Sequence, residues 1–347
     1  MTDKSGSSPL QVHQGCGIYP LPSELRGLYC EGYRTPSGAL KSVEGNSPRE
    51  FQKNHKSPII SIGLPVYNGE RFLRRALDSI LAQTFTDFEL VISDNASTDK
   101  TSEICQEYQT KDVRVRYYCN EKNMGMGWNF DRVIELSQAP YFMYAADDDW
   151  WEPDFIRLLF DELETHPEAA VAFSSMDIVD EEGNLIKPVR LDRGDKSPNE
   201  LGYLGLFLRL MMLWGGSTKS HHYYMYALSR KDFVKGIRRF VVRGLFADRM
   251  LVATMALATR FRYVNRVLFY KTRHSRNMFE RYPDENFSKA VGSYFTLFKI
   301  PFRFGYQLWR CDIIPPWRKL YIPLAILGMA KIITAWIYTH KLRKTNS

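Results

Sequence analysis

Asp147, Asp148 and Asp149 stand in a row directly after the apolar run Tyr141–Ala145. Three adjacent carboxylates repel one another, a cost to folding that a bound cation removes. A hard divalent ion such as Mg²⁺ or Mn²⁺ is held by one or two carboxylates plus substrate phosphates. Bridging a diphosphate, such an ion offsets charge on the leaving group. The alternative is a solvated acidic turn opening the next helix, whose start Asp154 also favours. Trp150 and Trp151 follow the acids and argue against a purely solvated turn.

Three earlier loops carry the same polar chemistry. Pro65-Val66-Tyr67-Asn68-Gly69-Glu70 follows a first apolar run, Asp94 to Asp99 follows a second, and Asn120 to Gly125 follows a third. Asp, Asn and Gly are ordinary turn residues. Four such loops in succession, however, would bring acidic and amide groups to one edge, as a nucleotide and metal site requires.

The elements that must position these loops are legible as alternating periods. Ile59–Pro65 and Phe88–Ser93 read as buried strands. Phe72, Leu73, Ala76, Leu77, Ile80 and Leu81 have helical spacing, and Ser97-Thr98-Asp99 opens a second helix through about Tyr108. The alternation continues with strands at Val113–Tyr118, Tyr141–Ala145 and Ala170–Ser174, and helices at Gly127–Leu136 and Pro153–Leu163. This pitch predicts parallel βαβ units, hence an α/β chain whose ligands sit beyond the carboxyl ends of the strands. After the turn signal Glu181-Glu182-Gly183-Asn184, the pattern predicts a helix near Leu201–Leu213 and an extended stretch at His222–Leu228. A helix around Phe246–Leu257 and a strand at Tyr263–Tyr270 follow.

Charge excludes one class of partner. Of the net +8 over 347 residues, the segment from Ile300 to Ser347 holds eight basic residues and one acid. That is +7, which leaves the first 299 residues at +1. A nucleic-acid enzyme needs its basic patch beside its chemistry, so no nucleic-acid partner is expected. No Walker A sequence appears, and Gly125-Met126-Gly127 lacks the third glycine of a dinucleotide fingerprint. The five scattered cysteines fit reduced thiols rather than a disulfide framework or zinc site.

The stretch IGLPVYNGERFLRRALDSILAQTFTDFELVISDNASTD, then NMGMGWNFDRVI, then YFMYAADDDWWEPDF resembles the nucleotide-binding half of a family-2 glycosyltransferase of the GT-A fold. The resemblance runs from about Ile59 to Phe155 and, more loosely, to about Arg276. It implies a Rossmann-related, mostly parallel sheet flanked by helices. It also implies inverting transfer from a nucleotide-sugar donor with Mn²⁺ or Mg²⁺ as cofactor. By the same resemblance, Pro65, Tyr67 and Glu70 enclose the nucleotide, Asp94 hydrogen-bonds the base, and Asn95, Ser97 and Asp99 complete that motif. Asn123, Gly125 and Asn129 border the donor, joined by Asp147 and Asp148. Two departures stand out. Ala146 occupies the first place of the family's Asp-Ala-Asp-Asp, which leaves the metal among Asp147, Asp148 and Asp149, as Asp147/Asp149 or Asp148/Asp149. Trp128 replaces the arginine often found before the second Asn.

An inverting displacement needs a base near the acceptor hydroxyl. Asp248, at the start of a predicted helix, resembles the family's acceptor-side acid, with His221-His222 as the rival. His274, between Arg273 and Arg276, could touch phosphate, although a basic surface turn is the favoured reading. Leu320–Tyr338 is a 19-residue apolar stretch with Lys331 as its only charge and basic flanks. This predicts contact with a membrane surface through 318–344, as an interfacial helix or a marginal single span, on the cytoplasmic face. The sequence thus divides into a leader at 1–56, a nucleotide-sugar half at 57–180, an acceptor-side half at 181–285 and a basic helical region at 286–347. The expected acceptor is a cell-envelope or lipid-linked glycan. A catalytically inactive sugar-nucleotide-binding scaffold is the alternative that Ala146 and Trp128 motivate.

Overall fold

The structure is a computed structural model and describes residues 57–190, 221–238, 247–274 and 294–345. The leader and the helix expected near Leu201–Leu213 lie outside those residues.

The first half is built as its periods predict. Strand β1 (Ile60–Val66) is buried along its whole length, as is β2 (Phe88–Asp94). Such runs suit the centre of a parallel sheet, where both faces are covered. Between them, helix α1 (Leu73–Leu81) buries Leu73, Ala76, Leu77 and Ile80, one stripe of a 3.6-residue period. Helix α2 (Thr101–Lys111), strand β3 (Val115–Cys119), helix α3 (Met126–Leu136) and strand β4 (Tyr141–Tyr144) complete the unit. β1 pairs in parallel with β2 on one side and β4 on the other, and β2 pairs in parallel with β3. All four strands therefore end at the same edge. The buried Glu89 on β2 is compensated by the Ser61 hydroxyl, the Gln138 N–H and Arg116.

The second half departs from the expected mostly parallel sheet. Strand β5 (Trp150–Trp151), helix α4 (Phe155–Thr165), strands β6 (Ala169–Val179) and β7 (Leu185–Val189), and strand β8 (Leu228–Arg230) follow in order. Helices α5 (Lys231–Arg238) and α6 (Ala247–Ala258) precede strand β9 (Arg260–Thr272). The nine strands order as β3-β2-β1-β4-β8-β6-β9-β5, with β7 also on β6. β8 runs antiparallel to both β4 and β6, β5 runs antiparallel to β9, and only β6 and β9 pair in parallel here. The sheet is mixed. Three-residue β8 reverses its direction between two longer strands, so the expectation of a mostly parallel sheet is corrected.

The stretch expected to be extended at His222–Leu228 is instead a 3₁₀ turn, His221–Tyr226, before β8. Tyr224 at its centre packs its ring 4.4 Å from that of Phe173, and this buried aromatic contact outweighs the local β pattern. Helix α6 buries every side chain from Met250 to Leu257, so it is a core helix with Asp248 at its first turn.

At the C-terminal end, helix α7 (Tyr294–Arg310) leads through a 3₁₀ turn (Pro316–Tyr321) to helix α8 (Ile322–Thr345). A Cβ on Gly305 would lie 2.4 Å from Ile326 Cδ1, so only glycine allows α7 and α8 to approach so closely. The buried Arg318 guanidinium donates to the Leu257 carbonyl at 2.9 Å and ties this region to α6. Among the described residues, no helix is long and apolar enough to cross a membrane.

Candidate active site at the carboxyl edge of the sheet

The loops after β1 and β2 are zipped together. The Asn68 N–H donates to Ser97 Oγ at 2.9 Å, and Asn68 Oδ1 accepts from the Thr98 N–H at 2.8 Å. Gly69 and Glu70 donate their N–H groups to Thr101 Oγ1 and Asp99 Oδ2, and Glu70 Oε2 accepts from the Lys100 N–H. Asn68 (φ 52°) and Ala96 (φ 61°) both occupy the left-handed region. For non-glycine residues that conformation costs on the order of 1–3 kcal/mol each, which these cross-loop bonds offset.

Asp94 ends β2 fully buried. Its Oδ1 accepts from the Ser97 N–H at 2.9 Å and the Ser97 hydroxyl at 2.5 Å, and its Oδ2 accepts from the Tyr117 hydroxyl at 2.9 Å. Burial beside this carboxylate pushes the Tyr117 hydroxyl far above the ordinary tyrosine range. An amide cluster joins the third loop to the first two. Asn95 Nδ2 donates to Asn123 Oδ1 at 2.7 Å, and Asn95 Oδ1 accepts from the Met124 N–H at 2.9 Å. Asn129 accepts from Ser93 Oγ at 2.6 Å and donates to the Ser93 carbonyl at 2.8 Å. Pro65, Tyr67, Glu70, Asp94, Asn95, Ser97, Asn123 and Asn129 thus share one edge. Most of their described polar groups fix the loops to one another.

The acidic triplet divides into three environments. Asp147 is half-buried and lies over the first loop, where a Cβ on Gly69 would meet its Oδ2 at 2.5 Å. Asp148 is 7% exposed and faces His274, whose Nε2 lies 2.6 Å from its Oδ2. Asp149 is fully buried. Lys271 Nζ donates to both its oxygens at 3.0 Å, and the Thr272 N–H donates to its Oδ1 at 2.9 Å. Burial pushes the Asp149 carboxyl upward while the Lys271 ammonium pulls it down. Both metal pairs open at the sequence level include Asp149. Its oxygens accept from Lys271 and from the Thr272 N–H, and Lys271 also reaches Asp148 Oδ1 at 3.3 Å.

Sequence reasoning missed the cations. Lys271 and Thr272 lie at the end of β9, more than a hundred residues from the acids they hold. The one signal was a lysine inside an aromatic strand. Arg75 on α1 donates to the Asp148 carbonyl at 3.2 Å and to Thr272 Oγ1 at 3.1 Å, with its guanidinium 4.0 Å from the Trp150 ring centroid. Desolvation lowers the Arg75 pKa from its ordinary value, opposed by Asp149 and Asp148. Trp150 stacks on Tyr270 and Trp151 on Phe269, which explains why two tryptophans follow the acids: they pin β5 to β9. His274, expected on a surface turn, is 10% exposed, with Nδ1 3.2 Å from Glu181 Oε1. The carboxylates on both sides of the ring draw it inward.

Among the described residues, no three carboxylate, imidazole or thiolate groups converge as a metal cluster. Asp148 and His274 do meet as a pair, with Asp147 next to Asp148 in the chain. Asp248 Oδ1 accepts its neighbour's N–H, that of Arg249, at 2.8 Å. The Tyr226 hydroxyl, driven far up by burial, feels Lys271, Asp149, Asp148 and Asp248. Lys271 Nζ lies 5.6 Å from the Tyr226 ring centroid. The side chains of His221 and His222 lie outside the described residues.

Comparison with known proteins identifies the family. The chain matches the family described as Glycosyl transferase family 2 over residues 61–237. It is 27% identical over 220 residues to a chondroitin synthase of Escherichia coli, a match that covers 63% of this chain and 30% of that protein. The chain thus spans less than half the length of that relative. Among solved structures, it is similar to residues 1–349 of S. aureus TarS in complex with UDP (TM-score 0.48, 16% identity, 83% of this chain and 92% of that one). It is also similar to the mannosyltransferase PcManGT from Pyrobaculum calidifontis in complex with GDP-Man and Mn²⁺ (TM-score 0.45, 14% identity, 85% of each). The family match takes in β1, the three polar loops, the acidic triplet and the strands through β8, and on it the chain belongs to glycosyltransferase family 2.

Proposed function

We propose that the chain transfers a sugar from a nucleotide-diphosphate sugar to a hydroxyl group of a glycan, with inversion at the anomeric carbon. The observation that carries this reading is the acidic triplet held at the carboxyl edge of the sheet by Lys271, Arg75 and Thr272. One or two carboxylates of the Asp147–Asp149 triplet, with His274 beside Asp148, would hold Mn²⁺ or Mg²⁺, the diphosphate oxygens of the donor supplying further ligands. Glu181 Oε1, 3.2 Å from His274 Nδ1, would keep the imidazole in place beside the acids. The ion, when bound, would offset charge on the departing diphosphate.

Pro65, Tyr67 and the rigid Asn95–Asn123–Asn129 loops would enclose the nucleotide, with Asp94 at its base. Asp248 would act as general base. As the acceptor oxygen bonds to the anomeric carbon, its proton passes to the Asp248 carboxylate. The bond to the phosphate oxygen breaks on the opposite face, and the nucleoside diphosphate leaves with the electron pair. The name of the chondroitin synthase relative supports a growing glycan as the acceptor class.

A transfer assay with Asp248→Asn tests the reading. The expected result is a loss of about 10²–10⁴ in kcat with donor affinity kept, and an inverted anomeric configuration in the wild-type product by NMR. Retained configuration, or undiminished transfer by the variant, would overturn the assignment. Tight donor binding with no transfer to any glycan would favour the scaffold reading.

A further inference from the structure

Among the described residues, seven of the eleven exposed large hydrophobic side chains fall between Phe302 and Leu327. Three of them form a stripe on α7. Phe302, Tyr306 and Trp309 are 70%, 61% and 63% exposed, and at about 100° per residue they fall within roughly 60° of one another on the helix. The opposite side of α7 is committed inward through Phe304 and Leu308, followed by the buried Cys311 just past its end. On the sector adjoining the aromatic stripe, Lys299, Arg303 and Arg310 are exposed. Lys319, from the following 3₁₀ turn, donates to the Trp309 carbonyl at 2.6 Å and lies 5.9 Å from its ring centroid. That turn also exposes Trp317 and Leu320.

We propose that this face of α7 and the following turn is a docking surface for an anionic lipid bilayer, on which the protein lies without spanning it. Tryptophan and tyrosine have amphipathic rings that settle at the headgroup level, and leucine and phenylalanine reach the acyl boundary. The cations beside them are complementary to acidic lipid headgroups. Charge complementarity argues for lipid as the occupant: Lys299, Arg303 and Arg310 are exposed beside the stripe, in a region that from Ile300 onward holds eight basic residues to one acid. Because no described helix can cross a membrane, the surface reading replaces a span. This inference does not depend on the transferase reading.

The test is co-sedimentation of the full chain with vesicles of phosphatidylcholine alone or mixed with phosphatidylglycerol, at low and high salt. The expected result is binding to the mixed vesicles only, weakened by salt, with a blue shift of tryptophan emission. Phe302→Ala/Trp309→Ala should cut partitioning by at least about tenfold, and Arg303→Gln should cut it by about fivefold. Both variants change exposed side chains, and unchanged circular dichroism and thermal midpoint would establish that they fold. Failure of the folded wild-type chain to bind mixed vesicles, or binding that the substitutions leave unchanged, would overturn the proposal. A concentration-dependent dimer abolished by Phe302→Ala/Trp309→Ala, without vesicle binding, would assign the face to a second copy instead.

Discussion

Lys271 Nζ lies 3.0 Å from both carboxylate oxygens of Asp149, a side chain with no exposure to solvent. The pair joins the end of β9 to the loop after β4, and so joins the two halves of the sheet at the acidic triplet. Lys271 also reaches Asp148 at 3.3 Å, which makes one cation the common support of two acids.

Lys271→Met should therefore leave a buried carboxylate without its counter-charge. Removing one partner of a buried pair costs about 3–5 kcal/mol, which urea denaturation would read as a lower midpoint. Lys271→Met/Asp149→Asn should recover part of that loss. Two single-variant losses that simply add would show that the contact has no energetic coupling.

Gly69→Ala tests the seat of Asp147. The added methyl would lie 2.5 Å from Asp147 Oδ2 and 2.8 Å from Val66 Cγ2. Because Asp147 is only half-buried and the atom struck is the end of its side chain, the fold should survive while its carboxylate moves. A misplacement of about 1 Å can cost on the order of 10²-fold, so kcat/KM for transfer should fall by about that factor with little change in thermal midpoint. Equal activity in the variant would remove Asp147 from the donor site.

Asn129 is 3% exposed and accepts from Ser93 Oγ while donating to the Ser93 carbonyl. Asn129→Ala would orphan the buried Ser93 hydroxyl, at a cost of roughly 1–3 kcal/mol, and remove one bond to the Ser93 carbonyl. The expected outcome is a large fall in stability along with lost donor binding. Lost binding at full stability would instead mean that Asn129 touches the donor directly.

How much of this was readable in the chain follows from the range of the interactions. Strands β1 and β2 are buried on both faces, so they read as apolar runs, and the helices between them declare their stripes in Leu73, Ala76, Leu77 and Ile80. The polar residues after those strands were legible for the same reason, since strand ends place them. The reversal of the sheet was not. It rests on three-residue β8 and two-residue β5, whose direction is set by distant partners rather than by local period. Lys271, Arg75 and His274 were equally hidden, because a single cation in a strand, helix or loop acquires its role only when the fold brings it to the acids. His274 shows the cost of a local reading: beside Arg273 it reads as surface, yet Asp148 and Glu181 hold it inside.

Asp148→Asn and His274→Ala should separate metal from donor. Each should weaken the dependence of nucleotide-sugar binding on Mn²⁺ while leaving the fold intact, because the Lys271–Asp149 pair is kept in both variants. Unchanged metal dependence in both variants would place the ion elsewhere.

The central claim, a metal-dependent nucleotide-diphosphate sugar site on the acidic triplet, is tested most directly by calorimetry. UDP-, GDP- and dTDP-sugars would be titrated into the wild-type chain and Asp148→Asn, each with Mn²⁺ and with a chelator. The account predicts that one nucleotide class binds the wild type, that chelation weakens the binding, and that Asp148→Asn binds weakly with or without the ion. Absence of binding by all three classes to the folded wild-type protein would contradict it.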